Sequence, residues 1–195
     1  MGIRSVRGAQ RSDAAVIAAS LGDPQTFAVL FDRHFDAVFG YLARRIGVDR
    51  AEDVAAATFA VAFERRGTFR DRETARPWLF GIATNLMHND RRAQQRALSA
   101  LAELIAGGAG IAAQGPRPGE SVVAEALARL DPDQRDVVVL HAWEGFSYRE
   151  IASALGVPVG TVRSRLSRAR AQLRLLLGDQ QPARRSRSSE REVTE

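Results

Sequence analysis

The chain contains no cysteine and no lysine. The first absence excludes a disulfide framework, a thiolate zinc site and a cysteine nucleophile. The second makes all 28 basic residues arginine, a bias of composition that carries no functional weight by itself. Histidines number only three, His34, His88 and His141. They lie far apart and join no acid cluster, so neither a metal nor a cofactor is expected, and His34 reads as a half-buried residue at a helix seam. No apolar run approaches the roughly 18 residues of a membrane span. The N-terminal MGIRSVRGAQRSDAA lacks an apolar core of signal-peptide length. The expectation is a soluble, cytoplasmic protein with no direct membrane insertion. Strand-type alternation is also missing, which leaves an all-α fold.

What is present is enough for real cores. Of 195 residues 45% are hydrophobic, which allows one large or two small domains. The formal net charge of +5 favours a polyanionic partner without proving one. The most informative stretch is 147–177. Ser147 and Glu150 form an S-x-x-E capping box ahead of Ile151 and Leu155, and Gly156 stands where a helix stops. A second helix follows with Val162, Leu166, Ala169 and Leu173 at helical spacing. Thr161, Ser164, Arg165 and Arg168 occupy another side. From Val159 to Leu177 there are five arginines and no acid. A short helix, a glycine turn and a basic second helix form the helix-turn-helix pattern that reads the DNA major groove.

The rest of the chain is read in order. Residues 1–12 are polar and basic, hence flexible, and a short helix is expected over 13–21. Asp23-Pro24 then introduces the strongest amphipathic helix, with Phe27, Leu30, Phe31, Phe35, Val38, Phe39, Leu42 and Ile46 on its apolar side. Gly47 closes it, and Asp49 with Glu52 reads as the cap of the next, which buries Ala55, Phe59, Ala62 and Phe63. Asp49, Glu52 and Asp53 crowd that first turn, where the helix dipole favours acids. The charged loop 65–76 carries one aromatic, Phe69, which either tucks back onto the domain or stacks on an unpaired base. Pro77 opens a helix with Trp78, Ile82 and Leu86 inward. Gly81, Asn85, His88, Arg92 and Gln95 share another face, with Arg91 beside them. That face is either simply wet or suited to bases and phosphates. GGAGIAAQGPRPG lies in a flexible linker, 101–119. Beyond it one helix ends before Asp131-Pro132, and the next carries Val137, Val138, Leu140 and Ala142 into Trp143. The tail 178–195, almost without apolar residues, reads as disordered.

Two stretches carry a resemblance. DPQTFAVLFDRHFDAVFGYLARR, AEDVAAATFAVAFE and RPWLFGIATNLMHNDRR resemble region two of bacterial sigma factors. ESVVAEALARLDPDQRDVVVLHAWEGFSYREIASALGVPVGTVRSRLSRAR is similar to their region four. The order and the linker resemble the extracytoplasmic-function group of the sigma-70 superfamily, with region two over 13–100 and region four over 120–177. The resemblance implies a factor that binds core RNA polymerase and promoter DNA, and an anti-sigma factor as a further partner common in this group. It implies that Glu52, Asp53 and Phe59 meet polymerase. Family members commonly carry Gln-Glu before the Thr-Phe, where this chain has Ala56 and Ala57. It also implies that Phe69, Asn85, His88, Arg91 and Arg92 serve the minus-ten element, and Thr161, Arg163, Ser164, Arg165 and Arg168 the minus-thirty-five element. No catalytic residue is implied.

Two other readings remain. A stand-alone helix-turn-helix regulator would bind an operator as a dimer without polymerase, but would leave the aromatic loop unexplained. A nucleic-acid hydrolase would need a metal-binding acid cluster or a histidine base with a partner, and capping accounts for the only dense acids.

Overall fold

A computed structural model describes residues 11–70, 74–106 and 122–178. Residues 1–10 of the expected flexible N-terminus, almost all of the tail and most of the linker lie outside the described residues, while Arg11 and Ser12 are held at the start of α1. Those described form helices and two 3-10 turns, with no strand among them.

Ser12 caps α1 (Asp13–Ser20) by accepting from the Ala15 amide. Asp23 caps a 3-10 turn, Pro24–Phe27, that leads into α2 (Ala28–Ile46). The apolar side of α2 is divided. Leu30, Val38, Tyr41 and Leu42 are buried, whereas Phe31 stays 39% exposed and heads a ladder with Phe35 and Phe39 along the rim. Gly47, at φ 84°, separates α2 from α3 (Val48–Arg65), which therefore begins before Asp49. Asp49 lies within the first turn and caps nothing through its side chain; the dipole alone rationalises it there. After a 3-10 turn, Arg66–Thr68, comes α4 (Arg76–Ala106). This helix continues through the first residues of the stretch read as linker. Its buried set is broader than the expected stripe: Leu79, Phe80, Ala83 and Met87 join Ile82, with Trp78 and Leu86 half-buried.

The C-terminal half comprises α5 (Val122–Ala128), α6 (Pro132–Ala142), α7 (Tyr148–Leu155) and α8 (Val159–Gly178). The Ser147–Glu150 capping box forms reciprocally, and Gly156 takes the left-handed conformation at φ 65° that ends α7. On α6 the buried residues are Asp136, Val137, Val139 and Leu140. Ala142 is exposed and Trp143 is 51% exposed, because the helix ends there and the chain turns at Gly145.

The two halves are packed together. Helix α7 lies on α4, and Phe146 meets Phe80 edge-on with centroids 5.1 Å apart. The approach requires Gly81. A Cβ there would stand 3.1 Å from the Ala154 carbonyl carbon and nearer still to its oxygen. Around this contact Glu144, 7% exposed, receives Arg44 and Arg76. Asp136, 1% exposed, accepts from Arg45, and its other oxygen lies 2.9 Å from the His88 ring nitrogen. That ring nitrogen is near enough for an ion pair but not aligned as a hydrogen bond. Arg45 also donates to the Tyr41 hydroxyl, whose phenol burial pushes up to about 12.

Burial alone would raise the Asp136 carboxyl, but His88 and Arg45 outweigh it and hold the group below its ordinary range. A depressed folded pKa means that the stabilisation is complete above the unfolded value of about 4 and is lost as pH falls through the folded value. Small-angle scattering on an acid titration is therefore expected to show the halves separating below about pH 4 while circular dichroism still reports helix. Asp136→Asn, which carries no charge at any pH, is expected to be open already at neutral pH.

Candidate nucleic-acid interface

Three surfaces hold the residues singled out by the sequence. On α4 the face divides at the joint between the halves. Asn85 is exposed and makes no side-chain hydrogen bond among the described residues; Arg92 is likewise exposed. Gly81 and His88 lie one helical step around, Gly81 beneath Ala154 and His88 against Asp136. Arg91 is half-buried and donates to the Arg45 carbonyl at 3.3 Å. Burial, and then the neighbouring Arg45 charge, lower its pKa, so a further anion beside it would be welcome. Phe69 is half-buried against Trp78, with ring centroids 5.2 Å apart. In this structure it is tucked back.

On α8 the buried line of Val162, Leu166 and Ala169 leaves two basic flanks. One carries Thr161, Arg165 and Arg168. Arg165 pairs with Asp133 of α6, Thr161 is half-buried, and Arg168 is exposed. Ser164 lies between the flanks and donates to the Thr161 carbonyl at 2.9 Å. The other flank is an open groove of about 250 Å³ beside Tyr148, lined by Arg163, Ser167, Arg170 and Arg174. Sequence reasoning found only Arg163 of these. The i, i+4, i+7, i+11 spacing of 163, 167, 170 and 174 was the available signal, once Val162 and Leu166 are known to be inside.

On α3, Asp49, Glu52, Asp53, Ala56 and Ala57 are all exposed. No ion pair among the described residues holds any of the three acids. Phe59 differs: it is 4% exposed and packs under Phe31 at 4.9 Å and Phe35 at 6.0 Å. The ring available to a partner there is Phe31, supported from below by Phe59. His34 is half-buried with its ring nitrogen 2.8 Å from Asp13, at the seam between α2 and α1. Among the described residues no group of three or more histidines, cysteines and carboxylates could hold a metal ion. No helix described is long and apolar enough to cross a membrane.

With this geometry in place, comparisons with known proteins agree on one group. Residues 30–97 match Sigma-70 region 2, and residues 121–173 match Sigma-70, region 4. The RNA polymerase sigma factor CarQ of Myxococcus xanthus is 36% identical over 162 residues, 81% of this chain and 92% of that protein. The ECF RNA polymerase sigma factor SigW of Bacillus subtilis is 32% identical over 81% of this chain and 92% of its own. Among solved structures, CnrH in complex with the cytosolic domain of CnrY superposes with a TM-score of 0.63 at 31% identity, covering 88% of this chain and 100% of that one. The sigma factor RpoE with the anti-sigma factor NepR from Bartonella quintana gives a TM-score of 0.57 at 27% identity, covering 80% and 98%.

The groove flank of α8 carries charge without a hydrogen-bond pattern for bases, which suits phosphate. Replacing Arg174 by Ala is expected to weaken DNA binding by about the same factor on every sequence and to flatten the salt dependence by about one unit of slope. Titrations against matched and scrambled duplexes at several salt concentrations measure both.

Proposed function

Because the chain belongs to the extracytoplasmic-function group of sigma-70 factors and is a polymerase-binding initiation factor, we propose that it directs core RNA polymerase to promoters through two DNA contacts held at fixed spacing. The observation that supports this best is the pairing of an exposed basic helix-turn-helix with a separate amide-and-arginine face on α4, one in each matched region. Helix α8 would read the minus-thirty-five element. Arg168 would fork onto a guanine edge, Arg163 would meet phosphate from the groove flank, and Thr161, Ser164 and Arg165 would lie against the backbone once Arg165 leaves Asp133. On α4, Asn85 would bind a base of the minus-ten element, Phe69 would turn outward while still seated on Trp78 to stack on it, and His88, Arg91 and Arg92 would hold the adjoining backbone. Base capture offsets the few kcal/mol, roughly, that unpairing costs. The chain itself breaks and makes no covalent bond; nucleotide addition belongs to polymerase.

Polymerase would dock on the acidic strip Glu52 and Asp53 with Phe31 beside it, Phe59 acting as the support beneath. Ala56 and Ala57 leave that strip two polar contacts short of the common pattern. His88 is occupied by the other half in the closed arrangement and Arg91 by the Arg45 carbonyl of its own half, so docking must open the joint before His88 can join the minus-ten contact. The relative RpoE, crystallised with the anti-sigma factor NepR, supports such a protein as a partner of this chain too, and the chain's place of action is the cytoplasm. A stand-alone regulator would not need the second face.

The two contacts are expected to fail differently. In reconstituted transcription Arg168→Ala should weaken recognition of the upstream element by about 1–3 kcal/mol, leaving polymerase binding intact. Asn85→Ala, at an exposed helical position, should leave promoter binding near normal and reduce permanganate reactivity of the melted strand. Nanomolar protection of duplex DNA by the protein alone, with no complex with core, is the result that contradicts the proposal.

A further inference from the structure

The first residue of α1 does more than start a helix. Ser12 already caps α1, yet Asp13 is turned inward at 7% exposure. Its carboxylate gathers groups from two other elements. Oδ2 accepts from the Ala75 amide at 2.9 Å and lies 3.5 Å from the Thr74 hydroxyl, both at the head of α4. The same oxygen lies 2.8 Å from the His34 ring nitrogen, and Oδ1 accepts from Arg33 at 3.1 Å, both on α2. Arg33 in turn donates to the Arg11 carbonyl at 2.7 Å, which closes the clamp over α1.

A helix start leaves amides without partners and carries a partial positive charge. At α4 the Arg76 amide goes to the Thr74 hydroxyl at 3.2 Å, and position 77 is proline, which has none. The Ala75 amide, just before the helix, is the one that Asp13 takes. A carboxylate is the group this place favours, and it comes from a segment 62 residues earlier in the chain. Burying it has a cost that an apolar residue would avoid, so stability alone is a weak reason for it. What it fixes is where α4 begins. Trp78, in the first turn, carries the Phe69 ring, and Asn85 follows two turns later on the same rigid rod.

We propose that Asp13 is a positioning residue for promoter opening: by clamping the head of α4 to α1 and α2, it sets the place at which Phe69 and Asn85 receive an unpaired base. This rests on the base-capture role given above to those two residues. Asp13 touches no DNA itself. Its role is transmitted through the Ala75 amide and the Thr74 hydroxyl to α4.

The test uses the full chain bound to core polymerase and fork-junction DNA whose minus-ten strand is unpaired. Two strands are compared, one intact and one abasic at the captured position. Asp13→Ala is expected to retain core binding and to lose about five- to thirtyfold in affinity on the intact strand, part of the value of one stacked base. On the abasic strand the loss should shrink to within about twofold, because there is no base left to misplace. Asp13→Asn, which keeps an acceptor for the Ala75 amide, should recover most of the affinity. Equal losses on both strands, or no loss on either, overturn the proposal. If Asp13→Ala does not fold, Thr74→Val on the same two strands decides it by the same criterion. Failure of the base-capture reading shows separately: the unmodified protein would then bind intact and abasic strands alike.

Discussion

One buried carboxylate holds the two halves of this molecule in register. Asp136 sits at the joint with Arg45 on one side and His88 on the other. Both basic partners come from the N-terminal half, and the acid comes from α6 of the C-terminal half. An ion pair so far from water gains little net stability over an apolar contact, but an unpaired member is costly, by about 3–5 kcal/mol. The joint therefore discriminates sharply between closed and misaligned arrangements. Gly81 adds a steric condition, since only a residue without a Cβ lets Ala154 come down on α4. Glu144, shared by Arg44 and Arg76, repeats the electrostatic condition at the other end of the contact.

This constraint gives His88, one of the residues proposed to meet DNA, two states. His88 cannot be turned toward α6 and also lie along a phosphate backbone, and Arg91 would have to leave the Arg45 carbonyl of its own half to do so. Asn85 and Arg92 are free in either state. A closed molecule thus presents parts of both DNA faces but not a complete pair at promoter spacing. Opening requires a partner that binds the separated halves more tightly than the packed ones, and only that difference in affinity can shift the balance. Polymerase, if it holds both modules at promoter spacing as proposed, would supply such a difference. An anti-sigma partner would supply one of the opposite sign.

Local chemistry was legible in the sequence wherever a backbone rule decided the outcome. The Ser147–Glu150 box, the left-handed Gly156 and the Asp23-Pro24 start all form as their residue types dictate. The all-α class and the half-buried His34 follow from spacing alone. Long-range pairing was not legible. Asp136 reads as one more acid in a charged helix, and Gly81 as one member of a wet face, because neither residue type announces a partner from the far half. The start of α3 was misjudged by two residues, since Gly47 ends one helix and begins the next and leaves Asp49 no capping role. Helical spacing puts Phe59 on the buried side, where it lies beneath Phe31 and Phe35, whereas its polymerase contact is implied by the resemblance alone. On α8 the basic side was recognised, but its groove flank emerged only when packing fixed the rotation of the helix.

The central claim is that the halves are closed in the free protein and are opened by polymerase. Because the chain has no cysteine, Asp36→Cys and Ser153→Cys, both at exposed positions, accept a pair of spin labels on α2 and α7 without competition. Double electron–electron resonance should give one narrow, short distance for the free protein and a single longer one when core polymerase is added, with Gly81→Leu already at long distance unbound. A broad distribution in the free protein, or a short distance that persists on polymerase, would contradict this account.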